Sequence, residues 1–238
     1  MPIKEAIILA GGFGTRLQAV VADLPKCLAP IAGKPFLHYI LRYFQNQGIE
    51  KFIFSLGYKS ELVEEFLESE FMGKQPAINY ELSIEKEPLG TGGAIRLACN
   101  KAVQEVVAVI NGDTFFKIDL PSLNQFQSDS SMDCILCLKP MANFNRYGVV
   151  ELNANNTIKN FHEKKFYPSG LINGGVYALN TRKFMSEEFE EKFSFETSYL
   201  EKFHTMRKML GFVQDKYFID IGIPADYEKA KEEMSNEL

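Results

Sequence analysis

The sequence predicts an α/β protein folded as one domain, and three observations carry that reading. The first half alternates short apolar runs with amphipathic stretches in a βαβα order, the second half turns to closely spaced strands, and no Ser/Gly-rich linker divides them. At 238 residues, 46% of them hydrophobic, the chain is long enough to bury one sizeable core.

Taken in order, residues 5–10 form an apolar run that reads as a buried parallel strand, and it breaks at once into a glycine-rich loop. Residues 35–47 place Leu37, Ile40, Leu41 and Phe44 at helical spacing, and Gly48 ends that helix. A second strand covers 51–56. Ser60 then caps a helix through 67 whose inner face is Val63, Phe66 and Leu67. Residues 77–84 make a third strand, 92–101 a helix, and 106–110 a buried strand that ends in Asn111-Gly112-Asp113. Beyond it, strands at 133–138, 147–152, 157–161 and 171–179 predict a mostly antiparallel insertion, followed by late helices at 195–204 and 224–234.

Charge and cysteine usage narrow the function. A formal net charge of −5 argues against nucleic acid or an anionic membrane as partner, because both demand a basic surface that displaces counterions. Any phosphate site must be a local basic pocket. The opening Met1-Pro2-Ile3-Lys4-Glu5 lacks a charged segment followed by an apolar one, and no apolar run approaches the length of a membrane span, so a soluble, cytoplasmic protein is expected. Cys27, Cys99, Cys134 and Cys137 are scattered and expected to stay reduced. Cys134 and Cys137 fall in one apolar strand, where residues three apart face opposite sides, so they read as filler rather than half a metal knuckle. His38, His162 and His204 are too dispersed for a zinc site.

The glycine-rich loop is built for an anion. Gly11, Gly12 and Gly14 let backbone N–H groups approach a polyphosphate closely, while Thr15 and Arg16 add side-chain donors. Lys26 follows ten residues after Arg16, behind Pro25. The loop is neither a P-loop, having no Gly-Lys-Ser/Thr, nor a dinucleotide fingerprint, since Gly12-x-Gly14-x-x ends in Leu17. A dehydrogenase is further disfavoured by Ser55-Leu56-Gly57, where an acid should end the second strand.

Leu9-Ala-Gly-Gly-Phe-Gly-Thr-Arg-Leu17, Leu24-Pro-Lys26 and Ile31-Ala-Gly-Lys-Pro35 closely resemble the sugar nucleotidyltransferase (nucleoside-diphosphate-sugar pyrophosphorylase) family in order and spacing. The resemblance continues through Glu87-Pro-Leu-Gly-Thr-Gly-Gly-Ala94, Asn111-Gly-Asp113, Tyr147-Gly-Val149, Phe161-His-Glu-Lys164, Asn173-Gly-Gly-Val-Tyr177 and Ile219-Asp-Ile-Gly222, nearly the whole chain. It implies the family's fold: a mixed sheet sandwiched by helices, without the hexapeptide repeats of a C-terminal β-helix. About 1–130 would be the nucleotide-binding half and about 131–238 the sugar-binding half. Within the family the sequence is most similar to guanylyltransferases acting on D-glycero-α-D-manno-heptose 1-phosphate, with mannose-1-phosphate guanylyltransferases and uridylyl- or thymidylyltransferases as runners-up.

The resemblance also implies roles. GTP and a sugar 1-phosphate would be the substrates, and no motif speaks for a particular oligomeric state. Leu9, Ala10, Gly11, Gly12, Gly14, Thr15 and Gly112 would hold the nucleotide, with the segment containing Glu85, Gly90 and Thr91 around the base. Arg16 would bind the triphosphate and the departing pyrophosphate, and Lys26 would set a positive charge at the transferring phosphoryl. Asp113 and Asp220 would hold Mg²⁺, a cation that accepts carboxylate and phosphate oxygens and keeps several waters. On the sugar side, Lys164 would hold the phosphate, Glu163 and Asn173 would bond hydroxyls, Tyr147 and Gly148 would line the site, and Gly174 would leave room for the ring. One departure stands out: Ile223 occupies the position after Asp220-Ile-Gly222 where the family often has Thr, which removes a hydroxyl beside the metal acid.

Overall fold

The computed structural model describes residues 1–12, 17, 20–21, 23–71, 77–128 and 131–234. The elements, in chain order, are β1 (Glu5–Leu9), a 3₁₀ turn (Lys26–Leu28), the short hairpin β2 (Pro30–Ile31) and β3 (Lys34–Pro35), α1 (Phe36–Asn46), β4 (Lys51–Leu56), α2 (Ser60–Phe71), β5 (Asn79–Ile84), α3 (Gly90–Cys99), β6 (Val106–Asn111), β7 (Thr114–Phe116) and α4 (Leu120–Ser128). There follow β8 (Cys134–Phe144), β9 (Val149–Leu152), β10 (Ile158–His162), β11 (Tyr167–Asn180), α5 (Thr181–Met185), a π-helical segment (Phe195–Glu201), β12 (Met209–Val213), β13 (Phe218–Asp220) and α6 (Pro224–Met234).

Seven strands form one sheet in the order β12-β8-β11-β6-β1-β4-β5. β4 and β6 flank β1 in parallel, β5 runs parallel to β4, and β12 runs parallel to β8. Only β11 opposes its neighbours, lying antiparallel between β6 and β8. The sheet is mixed, as expected, and the second-half strands pair mostly antiparallel, as expected, but they are not an insertion. Strands β8, β11 and β12 extend the same sheet, and further antiparallel pairing forms the two-stranded ribbons β2–β3, β7–β13 and β9–β10. The chain reaches β8 through α4, a crossover that preserves strand direction, and β11 then fills the gap between β8 and β6.

Each strand feeds two cores by alternation. On one face Ala6, Ile8, Phe52, Phe54, Ala108, Ile110, Ile135, Cys137, Val176 and Ala178 meet apolar residues of α1, α2, α4 and α6. The opposite face carries Ile7, Ile53, Val107, Val109, Cys134, Leu136, Tyr177 and Leu179 against α3, α5 and the π-helical segment. Burying a side chain such as Ile7 or Phe54 stabilises the fold by about 1.5–3 kcal/mol. Both cores draw on strands of the first and the second half, from β12 to β4, so the chain folds as one domain. Cys134 and Cys137 divide between the two cores and all four cysteines are free and buried, in keeping with their reading as filler.

The expected helix at 195–204 differs in kind. It is π-helical over Phe195–Glu201, its Ser194 side chain capping Thr197 N–H at 3.2 Å, and it rests on a cluster of rings that includes Phe184, Phe189, Phe193 and Tyr199. No described helix is long and apolar enough to cross a membrane.

Candidate active site

The strand order places a ligand cleft before any side chain is considered. From β1 the chain moves outward to β4 and β5, then returns through α3 to β6 on the other side of β1. The strand order therefore reverses between β1 and β6, and an open α/β sheet binds ligands at the carboxyl edge of such a switch point. A cleft of about 350 Å³ lies there, lined by Leu9, Ala10, Gly11, Gly12 and, from the far wall, Glu85, Gly90 and Thr91. Asn111, Gly112 and Asp113 form its floor with Lys26. Gly112 seals the ends of β1 and β6: its N–H donates to the Leu9 carbonyl at 2.9 Å, and a Cβ there would stand 2.7 Å from that oxygen.

A second cleft of about 390 Å³ opens beside the first. Tyr147, Gly148, Glu163, Lys164, Asn173 and Asp220 line it, and Asn111 and Glu196 belong to both. Glu163 and Lys164 are exposed at its rim. Asn173 reaches the cleft because the β11–β8 register slips between Asn173 and Tyr177; its amide donates to Tyr177 Oη at 2.8 Å and its oxygen accepts from Gly175 N–H at 3.1 Å.

The clefts meet at two carboxylates brought together by the ribbon β7–β13, in which Asp220 pairs with Thr114 and Ile221 N–H donates to the Asp113 carbonyl at 3.0 Å. Lys26 Nζ lies 3.3 Å from Asp113 Oδ2, delivered by the 3₁₀ turn behind Pro25. Tyr147 donates its hydroxyl to Asp220 Oδ2 at 3.1 Å, and Gly222 N–H donates to Oδ1 at 2.7 Å. Desolvation by the cleft walls and the charge of Asp220 push the Asp113 carboxyl above the usual carboxylate range, against the opposing pull of Lys26. Burial and Asp220 likewise raise the Tyr147 phenol, keeping it a donor.

Residues 5–237 match the family described as nucleotidyl transferase. The chain belongs to that family. Among curated proteins it is 49% identical over 232 residues to a D-glycero-α-D-manno-heptose 1-phosphate guanylyltransferase of Aneurinibacillus thermoaerophilus, covering 98% of this chain and 99% of the relative. A protein of the same description from Campylobacter jejuni is 46% identical, covering 94% and 96%. Among solved structures, HddC from Yersinia pseudotuberculosis complexed with GMP-PN superimposes with a TM-score of 0.85 at 36% identity, over 98% of this chain and all of that one.

Nucleotidyl transferases of this family typically use a divalent metal. The donor set fits one. Among the described residues two carboxylates converge, Asp113 beside Lys26 and Asp220 beside Arg146, and their oxygens are hard donors. Among the described residues no three His, Cys, Asp or Glu side chains gather at one point, so phosphate and water oxygens would complete the coordination.

Of the residues expected in the site, Gly14, Thr15 and Arg16 lie outside the described residues. Leu9, Ala10, Gly11, Gly12, Lys26, Glu85, Gly90, Thr91, Gly112 and Asp113 line the first cleft, and Tyr147, Gly148, Glu163, Lys164, Asn173 and Asp220 the second. Gly174 is the correction. A Cβ on it would sit 2.4 Å from the Phe116 ring and 2.9 Å from the Cys137 carbonyl, so this glycine makes room for core packing, not for a sugar ring. Thr91 is also less available than expected, since its hydroxyl donates to Glu196 Oε2 at 2.7 Å and accepts from Phe195 N–H at 2.8 Å. The reading from sequence missed Asn111 and Glu196 as lining residues. Asn111 ends the motif already singled out for Asp113; Glu196 carries no motif.

Proposed function

We propose that the protein transfers GMP from GTP to D-glycero-α-D-manno-heptose 1-phosphate, releasing pyrophosphate and forming the GDP-activated heptose. The observation that carries this is the meeting of two clefts at Lys26, Asp113 and Asp220, with guanylyltransferases of that heptose phosphate among its near relatives. We place the nucleotide over residues of the first half, about 1–130, and the sugar phosphate over about 131–238.

A sugar 1-phosphate is already an anionic nucleophile, so attack on the α-phosphorus of GTP needs no protein nucleophile or general base. The enzyme's work is to align the two and to neutralise charge. Lys26 stands where negative charge concentrates at the transferring phosphoryl. Arg16 holds the triphosphate and the leaving pyrophosphate. Lys164 and Glu163 at the rim of the second cleft take the sugar phosphate and a hydroxyl, with Asn173 and the Tyr147 side of the wall orienting the ring. Asp113 and Asp220 would hold Mg²⁺, which would supply Lewis-acid stabilisation of phosphate oxygens.

For the base, guanine offers N1–H and N2–H₂ donors along one edge. Glu85 supports that reading: it lies in the cleft wall with its carboxyl raised by burial, one oxygen accepting Leu89 N–H at 2.7 Å. Uracil and thymine present a single N–H there, and an unpaired acceptor can discriminate by factors of roughly 10⁴. Both substrates are polyanions that do not cross membranes unaided, which supports a cytoplasmic place of action.

The deciding experiment is a matrix of GTP, UTP, dTTP, ATP and CTP against sugar 1-phosphates, read by pyrophosphate release with Mg²⁺. GTP with the heptose phosphate should give the highest kcat/KM. A higher value for UTP or dTTP with every sugar phosphate would overturn the guanylyl assignment, and a higher value for mannose 1-phosphate the heptose one.

A further inference from the structure

Arg146 stands where the second cleft meets the last helix, in a position the proposed reaction does not use. Its Nη1 pairs with Asp226 in the first turn of α6, its Nη2 lies 3.8 Å from Asp220 Oδ2, and its guanidinium packs over the Tyr147 ring at 5.5 Å from the centroid. The side chains of Arg146, Asp220 and Asp226 are 33%, 20% and 22% exposed, enclosed enough that their charges are felt by one another.

Asp220 does not need the arginine for its orientation. Gly222 N–H fixes one carboxylate oxygen and the Tyr147 hydroxyl the other, while the strand itself is pinned by its pairing with β7. What Arg146 adds is charge, and it divides that charge between two acids. Lys26 thus contacts Asp113 while Arg146 contacts both Asp220 and Asp226, so that among the described residues Asp113 and Asp220 each have one neighbouring cation.

From this arrangement we infer that Arg146 is a positioning residue acting through Asp220: it damps the negative charge of the Asp113–Asp220 pair and so weakens divalent-metal binding to the free enzyme, while Asp226 holds the guanidinium back and limits the damping. The inference rests on Asp113 and Asp220 being the metal acids. Its consequence for turnover is that the pair binds metal well only when phosphate oxygens add their own charge, so that the cation leaves with product instead of trapping it.

The test is Mn²⁺ binding, followed by loss of the free-ion electron paramagnetic resonance signal, with Mn²⁺ alone and with Mn²⁺ plus a non-hydrolysable GTP analogue. Arg146→Gln should tighten binding of Mn²⁺ alone by about three- to tenfold, the size of a screened interaction between one charge and a divalent ion roughly 6 Å away. Asp226→Asn, nearly isosteric, should weaken it about two- to fivefold, because the released guanidinium turns fully to Asp220. Arg146→Lys should stay near wild type. A merely structural role would shift the glutamine and asparagine variants in the same direction, toward weaker binding. Equal or weaker binding by Arg146→Gln, or equal or tighter binding by Asp226→Asn, overturns the inference; should the glutamine variant fail to fold, Arg146→Met, which keeps the aliphatic stem without the charge, takes its place with the same expected tightening. Asp220→Asn separates the layers of the claim. If it binds Mn²⁺ like wild type, the metal reading itself has failed; if it binds more weakly while Arg146→Gln equals wild type, only the role of Arg146 has.

Discussion

The two clefts are similar in volume, about 350 and 390 Å³, and each contributes one acid to the pair at which they meet, yet they are made in different ways. The first is built at the ends of parallel strands, where the chain leaves β1 and β6 and two runs of consecutive residues, Leu9 to Gly12 and Asn111 to Asp113, supply one side, faced by Glu85, Gly90 and Thr91. The second draws Tyr147, Glu163, Asn173, Glu196 and Asp220 from five separate segments, held together by ribbons and by a register slip in β11. A parallel-strand end concentrates a site in one stretch of sequence. A site made from ribbons exists only once distant strands have paired.

This contrast has consequences for mutation. The largest effect should come from the shared acids. Asp113→Asn and Asp220→Asn should each lower kcat by roughly 10²–10³ while leaving circular dichroism and melting temperature nearly unchanged, because the metal would lose a charged ligand while shape is kept. A near-wild-type rate at limiting Mg²⁺ for either variant would remove that acid from the junction.

Next in size, Lys26→Ala should lower kcat by about 10² with little change in KM for GTP, whereas Lys164→Ala should raise KM for the sugar phosphate by at least about tenfold with a smaller change in kcat. These two lysines sharpen the comparison most directly. If their phenotypes were exchanged, the clefts would have been given the wrong substrates.

Tyr147→Phe removes one donor from Asp220 without emptying space. The expected result is a loss of about tenfold in kcat/KM for the sugar phosphate, with KM for GTP unaffected, as follows from one hydrogen bond to a charged group. An equal loss for both substrates would show that this hydroxyl serves the junction as a whole.

The smallest effect on chemistry tests whether the glycines of α3 serve phosphate or packing. A Cβ on Gly92 would lie 2.1 Å from the Phe193 ring, whose backbone also accepts from Gly92 N–H at 2.9 Å. Gly92→Ala should therefore cost about 1–3 kcal/mol of stability, read as a lowered melting temperature, with the rate per folded molecule preserved. Unchanged stability with a raised KM for GTP would instead assign Gly92 to the nucleotide.

Much of the first cleft was legible in the sequence because its physics is local. An apolar run stopping at Gly11 and Gly12, and another stopping at Asn111-Gly-Asp113, mark strands that end where a ligand can approach, and the α/β alternation around them gave the class of fold and one domain. Periodicity also placed Cys134 and Cys137 on opposite faces of a strand. Tertiary structure decided what depends on residues far apart in the chain. It put β11 between β6 and β8 and so joined the second half to the same sheet. Gly174 turned out to face Phe116, the hydroxyl of Thr91 is engaged by Glu196, and the ring cluster beneath residues 195–201 sets a π-helix where an ordinary helix was expected. Arg146 is a single cation in a loop until β13 and α6 bring Asp220 and Asp226 to it. Sequence spacing reports which residues share one strand or one helix face; which side chains meet across the sheet is fixed by strand order, register and the packing of two cores, and those form only when the chain folds as a whole.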